Sequence, residues 1–232
     1  MFNTKDKKEN NMSIVSIVYL PEGIAIAADS RSTLSTTKTE DGTTTIKKFS
    51  VSDNAQKIVL LNKCQVGIAS VGDAIIEGKT ISDYIRLFEI NDITNGDTAE
   101  VVADKLLEHK SEYPKTTFYV CGYNDDIPYV FVIDTNGKSR KNIDESNNVI
   151  YGLMWGGEPE ALTKLISTEP SIKIDPQLMP LKDGIDLSEF MVDLTIKYQR
   201  FSCEMKTCGG PIDVLVLTKD DAFWYKHKLF KK

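Results

Sequence analysis

The sequence contains few of the residues that build metal sites, disulfide frameworks or membrane spans. Its 232 residues include only two histidines and four cysteines, and no two cysteines form a C-x-x-C pair. These counts argue against a zinc site and favour free, mostly buried thiols. No apolar run approaches the length of a membrane span, and the polar first eleven residues lack the apolar segment of a secretory signal. We therefore predict a cytoplasmic protein that does not bind a membrane.

The composition is that of an ordinary globular protein. Apolar residues make up 41% of the chain, charged residues make up 27%, and the net charge is -6. This acidic balance gives no electrostatic reason to expect binding to nucleic acid. A chain of this length and apolar content can bury one sizeable core. We predict a disordered or removable leader over residues 1–12 and a single domain over residues 13–232.

The first ordered segment is predicted to be a buried β-hairpin. Residues 13–19 are rich in β-branched side chains, Pro21-Glu22-Gly23 supplies a turn, and residues 24–28 read as the returning strand. Both runs are apolar on both faces, which is typical of strands in the middle of a covered sheet. Residues 30–45 are rich in Ser, Thr and Lys and are predicted to form a loop or an irregular hairpin.

Amphipathic helices alternate with further strands along the rest of the chain. We expect one helix around residues 81–88, a second capped by Asp97 with Glu100 three residues later, and a long last helix capped by Asp186 and reaching Met205. His109 and His227 are predicted to lie on the surface. Buried strands with one-sided helices predict an α+β fold, a four-layer αββα sandwich in which two antiparallel sheets are covered by helices.

Four segments resemble proteasome β subunits in order and spacing. In chain order these are Ile24–Thr33 with its Ala-Ala-Asp-x-Arg pattern, Gln56-Lys57-Ile58, Ser70–Ala74, and Gly209–Val214. The chain therefore resembles the proteasome β-subunit family of N-terminal-nucleophile hydrolases over roughly residues 13–220. The resemblance implies a fold of that type, a bacterial proteasome-type peptidase and no cofactor or metal.

The resemblance also implies a nucleophile at the start of the first strand. Ser13 lies one hairpin length before Asp29, in the register of the family's terminal hydroxyl residue. A free α-amine titrates near pH 7.7–8.0. It can therefore serve as the base that the weakly nucleophilic hydroxyl needs. This chemistry requires removal of residues 1–12, either by self-cleavage or by translation from Met12 followed by methionine removal.

The remaining site residues follow from the same comparison. Lys57 would be the buried cation beside the hydroxyl, Asp29 would pair with Lys57, and Arg31 would brace the site through Asp29 or nearby carbonyls. The oxyanion turn would be formed by three residues: Ala69, Ser70 and Gly72. Cys208 and Gly209 would be site neighbours.

These residues together predict an endopeptidase. Its substrate would be a peptide or unfolded protein, its subunits would associate into rings, and an AAA+ unfoldase would be an implied partner. Two alternatives stay open. Met154-Trp155-Gly156 stands where active subunits carry Gly-Ser-Gly, and Met205 or Glu204 stands where they carry an aspartate. These departures favour a catalytically inactive structural subunit. The other alternative is an N-terminal-nucleophile amidase that acts on a small amide.

Overall fold

The computed structural model describes residues 13–40, 43–109 and 115–229. Strands β1 to β14 appear in this order: Ile14–Leu20, Gly23–Ala28, Ser32–Glu40, Thr43–Ser52, Ile58–Leu61, Val66–Val71, Ile75–Ile76, Lys79–Thr80, Thr117–Asn124, Ile127–Asp134, Gly137–Arg140, Gly152–Gly157, Asp213–Leu217 and Ala222–Lys226. Helices α1 to α4 are Ile81–Asp92, Ala99–His109, Glu160–Leu162 and Leu181–Arg200, and α3 continues as a π-helical turn over Thr163–Ser167. The leader predicted over residues 1–12 lies outside the described residues.

Two antiparallel five-stranded sheets dominate the fold. The first has the strand order β12-β1-β2-β13-β14, and the second has the order β11-β10-β9-β6-β5. β1 and β2 are completely buried along their length. Their position inside the first sheet explains why the sequence is apolar on both of their faces. The prediction of an α+β fold with antiparallel sheets is confirmed.

Three apolar clusters fill the interior. One consists of side chains from both sheets, such as Val15 and Ile26 from the first and Tyr119 from the second. Another joins the second sheet to α1 and α2. The last joins the first sheet to α4 through residues such as Met191 and Val192. Among the described residues, no helix combines the length and the apolar content that crossing a membrane requires.

The segment after Arg31 contains two paired strands. β3 and β4 form an antiparallel ribbon that joins neither large sheet; Leu34 is paired with Phe49, and the register shifts between Ser32 and Thr33. The Ser- and Thr-rich sequences of these strands contain few apolar residues, so they lack the pattern that marks most strands. Of the two alternatives predicted for residues 30–45, the irregular hairpin is confirmed and the loop is wrong, and β4 continues to Ser52.

Two helix starts were predicted wrongly. The hydroxyl of Thr98 accepts the Val101 N–H at 3.3 Å and caps α2, whereas Asp97 binds the preceding Thr94. α4 starts at Leu181 after Pro180, so Asp186 is inside the helix and pairs with a lysine one turn earlier. An Asp-x-x-Glu pattern inside a helix is indistinguishable in sequence from a capping signal.

The end of α4 and the environment of His227 also differ from expectation. α4 ends at Arg200, and Phe201 is 83% exposed instead of continuing the apolar stripe to Met205. His227 is buried beside Trp224, whose ring centroid lies 4.3 Å away. Because only local spacing was available, the sequence placed this histidine on the surface. Of the four thiols, Cys121 and Cys208 are buried and Cys203 is exposed.

Candidate active site

The β1–β2 hairpin brings Ser13 and Asp29 to the same end of the first sheet. The two strands pair in register from Val15 opposite Ala28 to the turn at Pro21-Glu22. The Asp29 N–H donates to the carbonyl of Ile14 at 3.3 Å, and the Ile14 N–H donates to Oδ1 of Asp29 at 3.0 Å. Ser13 is 5% exposed. The carboxylate of Asp29 therefore binds the backbone directly after Ser13.

The carboxylate of Asp29 binds four donors. Its Oδ1 accepts the ammonium of Lys57 at 2.6 Å as well as the Ile14 N–H. Its Oδ2 accepts the backbone N–H groups of Arg31 at 3.1 Å and Gly209 at 2.9 Å. The Lys57–Asp29 pair is buried, with side-chain exposures of 7% and 0%. The burial of this ion pair is favoured by the three backbone N–H groups that also donate to the carboxylate.

Lys57 reaches this carboxylate from the second sheet. It directly precedes β5, and its carbonyl accepts the Ser70 N–H at 3.0 Å, which extends the pairing of β5 with β6 by one residue. The N–H of Ile14 and the ammonium of Lys57 both donate to Oδ1 of Asp29. This one oxygen therefore links the ammonium to the backbone that follows Ser13. The two sheets thus meet at this ion pair.

Arg31 braces the site from the side. Its guanidinium makes two hydrogen bonds to Asp53, at 2.6 and 2.9 Å, and a third to the carbonyl of Lys206 at 3.3 Å. The hydrogen bonds from Arg31 lower the pKa of Asp53 and raise the pKa of Arg31. Arg31 contacts Asp29 through its backbone N–H. The two ends of the β3–β4 hairpin are therefore fixed to the loop before Gly209.

The three residues predicted for the oxyanion turn differ in position. Ala69 lies within β6 and packs between the sheets, and the N–H of Ser70 is already bonded to Lys57. Gly72 follows β6 with φ +117°, and a Cβ added there would lie 2.0 Å from the carbonyl oxygen of Lys115. This position therefore requires glycine. Of the three, Gly72 is the one whose placement at the cavity leaves it as the candidate donor.

A cavity of about 410 Å³ opens beside Ser13. Lys57, Ser70 and Gly72 line it, together with apolar residues such as Val51 and Ile75. The buried hydroxyl of Thr33 also lines it and has no hydrogen-bond partner within the described chain. Among the residues that the structure describes, no group of three or more His, Cys, Asp or Glu side chains could hold a metal ion. Ser13 itself is among the residues that line this cavity.

Three further residues close to Ser13 escaped the sequence analysis. The N–H of Glu158 donates to the carbonyl of Ser13 at 2.8 Å, and the carboxylate of Glu158 accepts the Thr207 hydroxyl at 2.7 Å. Gln199 binds that hydroxyl at 2.9 Å and the N–H of Cys208 at 2.8 Å. Burial, followed by the charge of Asp29, raises the pKa of the Cys208 thiol well above its usual value. No local pattern identifies these residues, because Glu158 is 49 residues away from Thr207 in the sequence.

Solved structures of Anbu, a bacterial proteasome-like protein, are similar to this fold. Anbu from Hyphomicrobium sp. strain MC1 is 16% identical with a TM-score of 0.60, over 93% of this chain and 86% of that one. An Anbu (Gly-1) mutant from the same organism is 16% identical with a TM-score of 0.57, over 91% of this chain and 84% of that one. No protein-family model matches the chain, and no curated protein does.

The expected membership in the proteasome β-subunit family is wrong as stated. It rested on four short segments, whereas the similar structures above are those of Anbu and no family model matches. At 16% identity the likeness shows the fold alone. The chain has a proteasome-related fold.

Proposed function

We propose that the chain is a peptide hydrolase whose nucleophile is the hydroxyl of Ser13, freed as the first residue by removal of residues 1–12. The observation that carries the proposal is the buried Lys57–Asp29 pair, with the carboxylate bonded to the backbone of residue 14. A lysine ammonium and a carboxylate are costly to bury and are seldom kept out of water without a function. Here Lys57 lines the same cavity as Ser13.

The reaction is acyl transfer followed by hydrolysis. The neutral α-amine takes the proton of the Ser13 hydroxyl while the oxygen attacks the carbonyl carbon of the scissile peptide. The ammonium of Lys57 favours the developing alkoxide, and a backbone N–H at Gly72 stabilises the oxyanion. The α-ammonium then protonates the departing amine, leaving an ester on Ser13. Water attacks the ester with the same amine as base and regenerates the hydroxyl.

The proposal extends to the domain, its layers and its assembly. We propose one domain over residues 13–232, layered α-β-β-α; this order is supported by one apolar cluster between the sheets and one beneath the helices on each side. Assembly into rings would enclose the cavities and restrict the substrate to peptides or unfolded proteins. An AAA+ unfoldase would then supply such chains in the cytoplasm.

Hydrolysis of fluorogenic peptides tests the assignment of the nucleophile. Ser13→Ala should abolish turnover and labelling by hydroxyl-directed inhibitors such as peptide β-lactones. Ser32→Ala removes another hydroxyl from the same cavity. It should keep both activities within a few-fold. Full turnover in the Ser13 variant would refute the proposal.

The same variant separates the two routes to the mature N-terminus. If Ser13 cleaves the chain itself, Ser13→Ala should retain residues 1–12 in its intact mass. If translation starts at Met12, the variant should begin at residue 13, because alanine also permits methionine removal. If the unsubstituted protein assembles into rings but shows neither turnover nor labelling, the result would favour the inactive structural subunit.

A further inference from the structure

Glu158 lies directly across the sheet from Ser13. β12 pairs with β1 up to Gly157 opposite Ile14, and the next N–H, that of Glu158, donates to the carbonyl of Ser13 at 2.8 Å. Gly157 has φ +98°, and a Cβ at this position would lie 1.9 Å from that carbonyl oxygen. The backbone therefore approaches the nucleophile residue as closely as only glycine permits.

The carboxylate of Glu158 is held by side chains from two other segments. The hydroxyl of Thr207 donates to its Oε1 at 2.7 Å, and Thr207 is 6% exposed. The amide nitrogen of Gln199, near the end of α4, donates to the Thr207 hydroxyl at 2.9 Å. The amide oxygen of Gln199 accepts the N–H groups of Thr207 at 2.9 Å and Cys208 at 2.8 Å. Both ends of the Gln199 amide are thus used to fix this loop.

The same loop connects the carboxylate to the Lys57–Asp29 pair. Two residues after Thr207, the N–H of Gly209 donates to Asp29 at 2.9 Å. Asp29 in turn binds the N–H of Ile14, which belongs to the same peptide group as the Ser13 carbonyl. The peptide group that follows Ser13 is therefore bonded at its carbonyl to the backbone N–H of Glu158 and at its N–H to the carboxylate of Asp29.

We infer that Glu158 positions the α-amine of Ser13, and this inference rests on the function proposed above. An amine that acts as a base needs its lone pair directed at the hydroxyl, so its N–H bonds need fixed acceptors on the other side. Ser13 and Glu158 are opposed across the antiparallel pair. The Cβ atoms of opposed residues lie about 4.5–5.5 Å apart, and a glutamate side chain is long enough to extend from its Cβ to an amine on the Cα of the opposed residue. Glu158 is a positioning residue, since it acts through the amine and not on the substrate.

Titration of the α-amine provides a readout that does not depend on turnover. The protein, shown by its mass to begin at Ser13, is acylated with a limiting N-terminal reagent between pH 5 and pH 10, and the modified fraction is measured by mass spectrometry. An adjacent carboxylate favours the ammonium, so Glu158→Gln should lower the α-amine pKa by about 0.5 to 1. The acidic limb of kcat/KM against pH should move down by the same amount, and kcat should fall as the amine loses its orientation.

Two sets of variants separate positioning from general structural damage. Glu158→Asp keeps the charge and should return the pKa towards that of the parent protein. Glu145→Gln, the same change at an exposed loop position, should leave it unchanged. Thr207→Val removes the hydroxyl that anchors the Glu158 carboxylate and should lower kcat, whereas the α-amine pKa should stay near that of the parent protein because the charge of Glu158 remains. Thr207→Ser restores a hydroxyl and should recover most of the lost kcat.

The α-amine pKa tests the role of Glu158, and peptide turnover tests the proposed function. An α-amine pKa that is equal in Glu158→Gln and the parent protein overturns the role of Glu158, whatever the turnover. A shifted pKa in a protein that cleaves no peptide leaves the positioning role standing and removes the proposed function. Residues 1–12 retained on the folded protein overturn both, because no α-amine then exists at Ser13.

Discussion

The buried ion pair between Lys57 and Asp29 leads to the most direct prediction about stability. Asp29→Asn removes the charge that Lys57 faces, and it directs an amide NH₂ at a cluster of N–H donors. The Lys57 side chain is 7% exposed, so water from the neighbouring cavity can replace the lost partner only in part. Breaking a buried pair by removing one partner costs about 3–5 kcal/mol. In a chain of this size that corresponds to a fall in Tm on the order of 6–20 °C.

Equilibrium urea unfolding at pH 7, followed by tryptophan fluorescence, measures this cost. Lys57→Met removes the cation but keeps the apolar stem, and it leaves Asp29 with three backbone donors. It should therefore cost less than Asp29→Asn. The double variant should be more stable than the sum of the single effects predicts, because the second change removes the uncompensated charge.

A matched control is Asp220→Asn, the same substitution at an exposed turn position. It should change the free energy of unfolding by less than about 0.5 kcal/mol. A cost below about 1 kcal/mol for Asp29→Asn, or strict additivity in the double variant, would refute the reasoning that the pair is buried and coupled.

Three further predictions concern the surroundings of the site. Gly157→Ala should destabilise the fold measurably by urea unfolding, because its methyl group would lie 1.9 Å from the carbonyl oxygen of Ser13; unchanged stability would contradict this register. In the native protein, Cys203 should react with Ellman's reagent at pH 8 while Cys208 stays unreactive until denaturation, since burial raises the pKa of Cys208. The hydrogen bonds from Arg31 lower the folded pKa of Asp53, so their contribution is complete above the unfolded pKa and is lost as the pH falls through the folded value. Asp53→Asn should therefore cost less than about 1 kcal/mol at pH 7 and progressively less as the pH falls below about 4, and a cost that does not change with pH would contradict it.

Sequence reasoning succeeded where the signal was local. β1 and β2 are apolar on both faces because they lie inside a sheet covered on both sides, and this pattern is readable from the chain. The expected meeting of Asp29 and Lys57 came from the resemblance, and the structure places their charged groups 2.6 Å apart. The α+β class with two antiparallel sheets followed from the strand runs and the one-sided helices.

Local signals misled where tertiary contacts decide the structure. The β3–β4 hairpin has few apolar residues to reveal it, and an Asp-x-x-Glu pattern at Asp186 suggested a start for α4 that Pro180 in fact provides. Glu158, Gln199 and Thr207 meet only because β12, α4 and the following loop converge at the end of β1. No spacing in a single sequence encodes that convergence.

The mass of the mature protein tests the central claim most directly. Protein purified in its assembled form should have the intact mass of residues 13–232, with Ser13 as the first residue in N-terminal sequencing, and its Ser13 should carry the label of a hydroxyl-directed inhibitor. Residues 1–12 still attached to the folded, assembled protein would contradict the account, because the hydroxyl would then lack the amine that has to serve as its base.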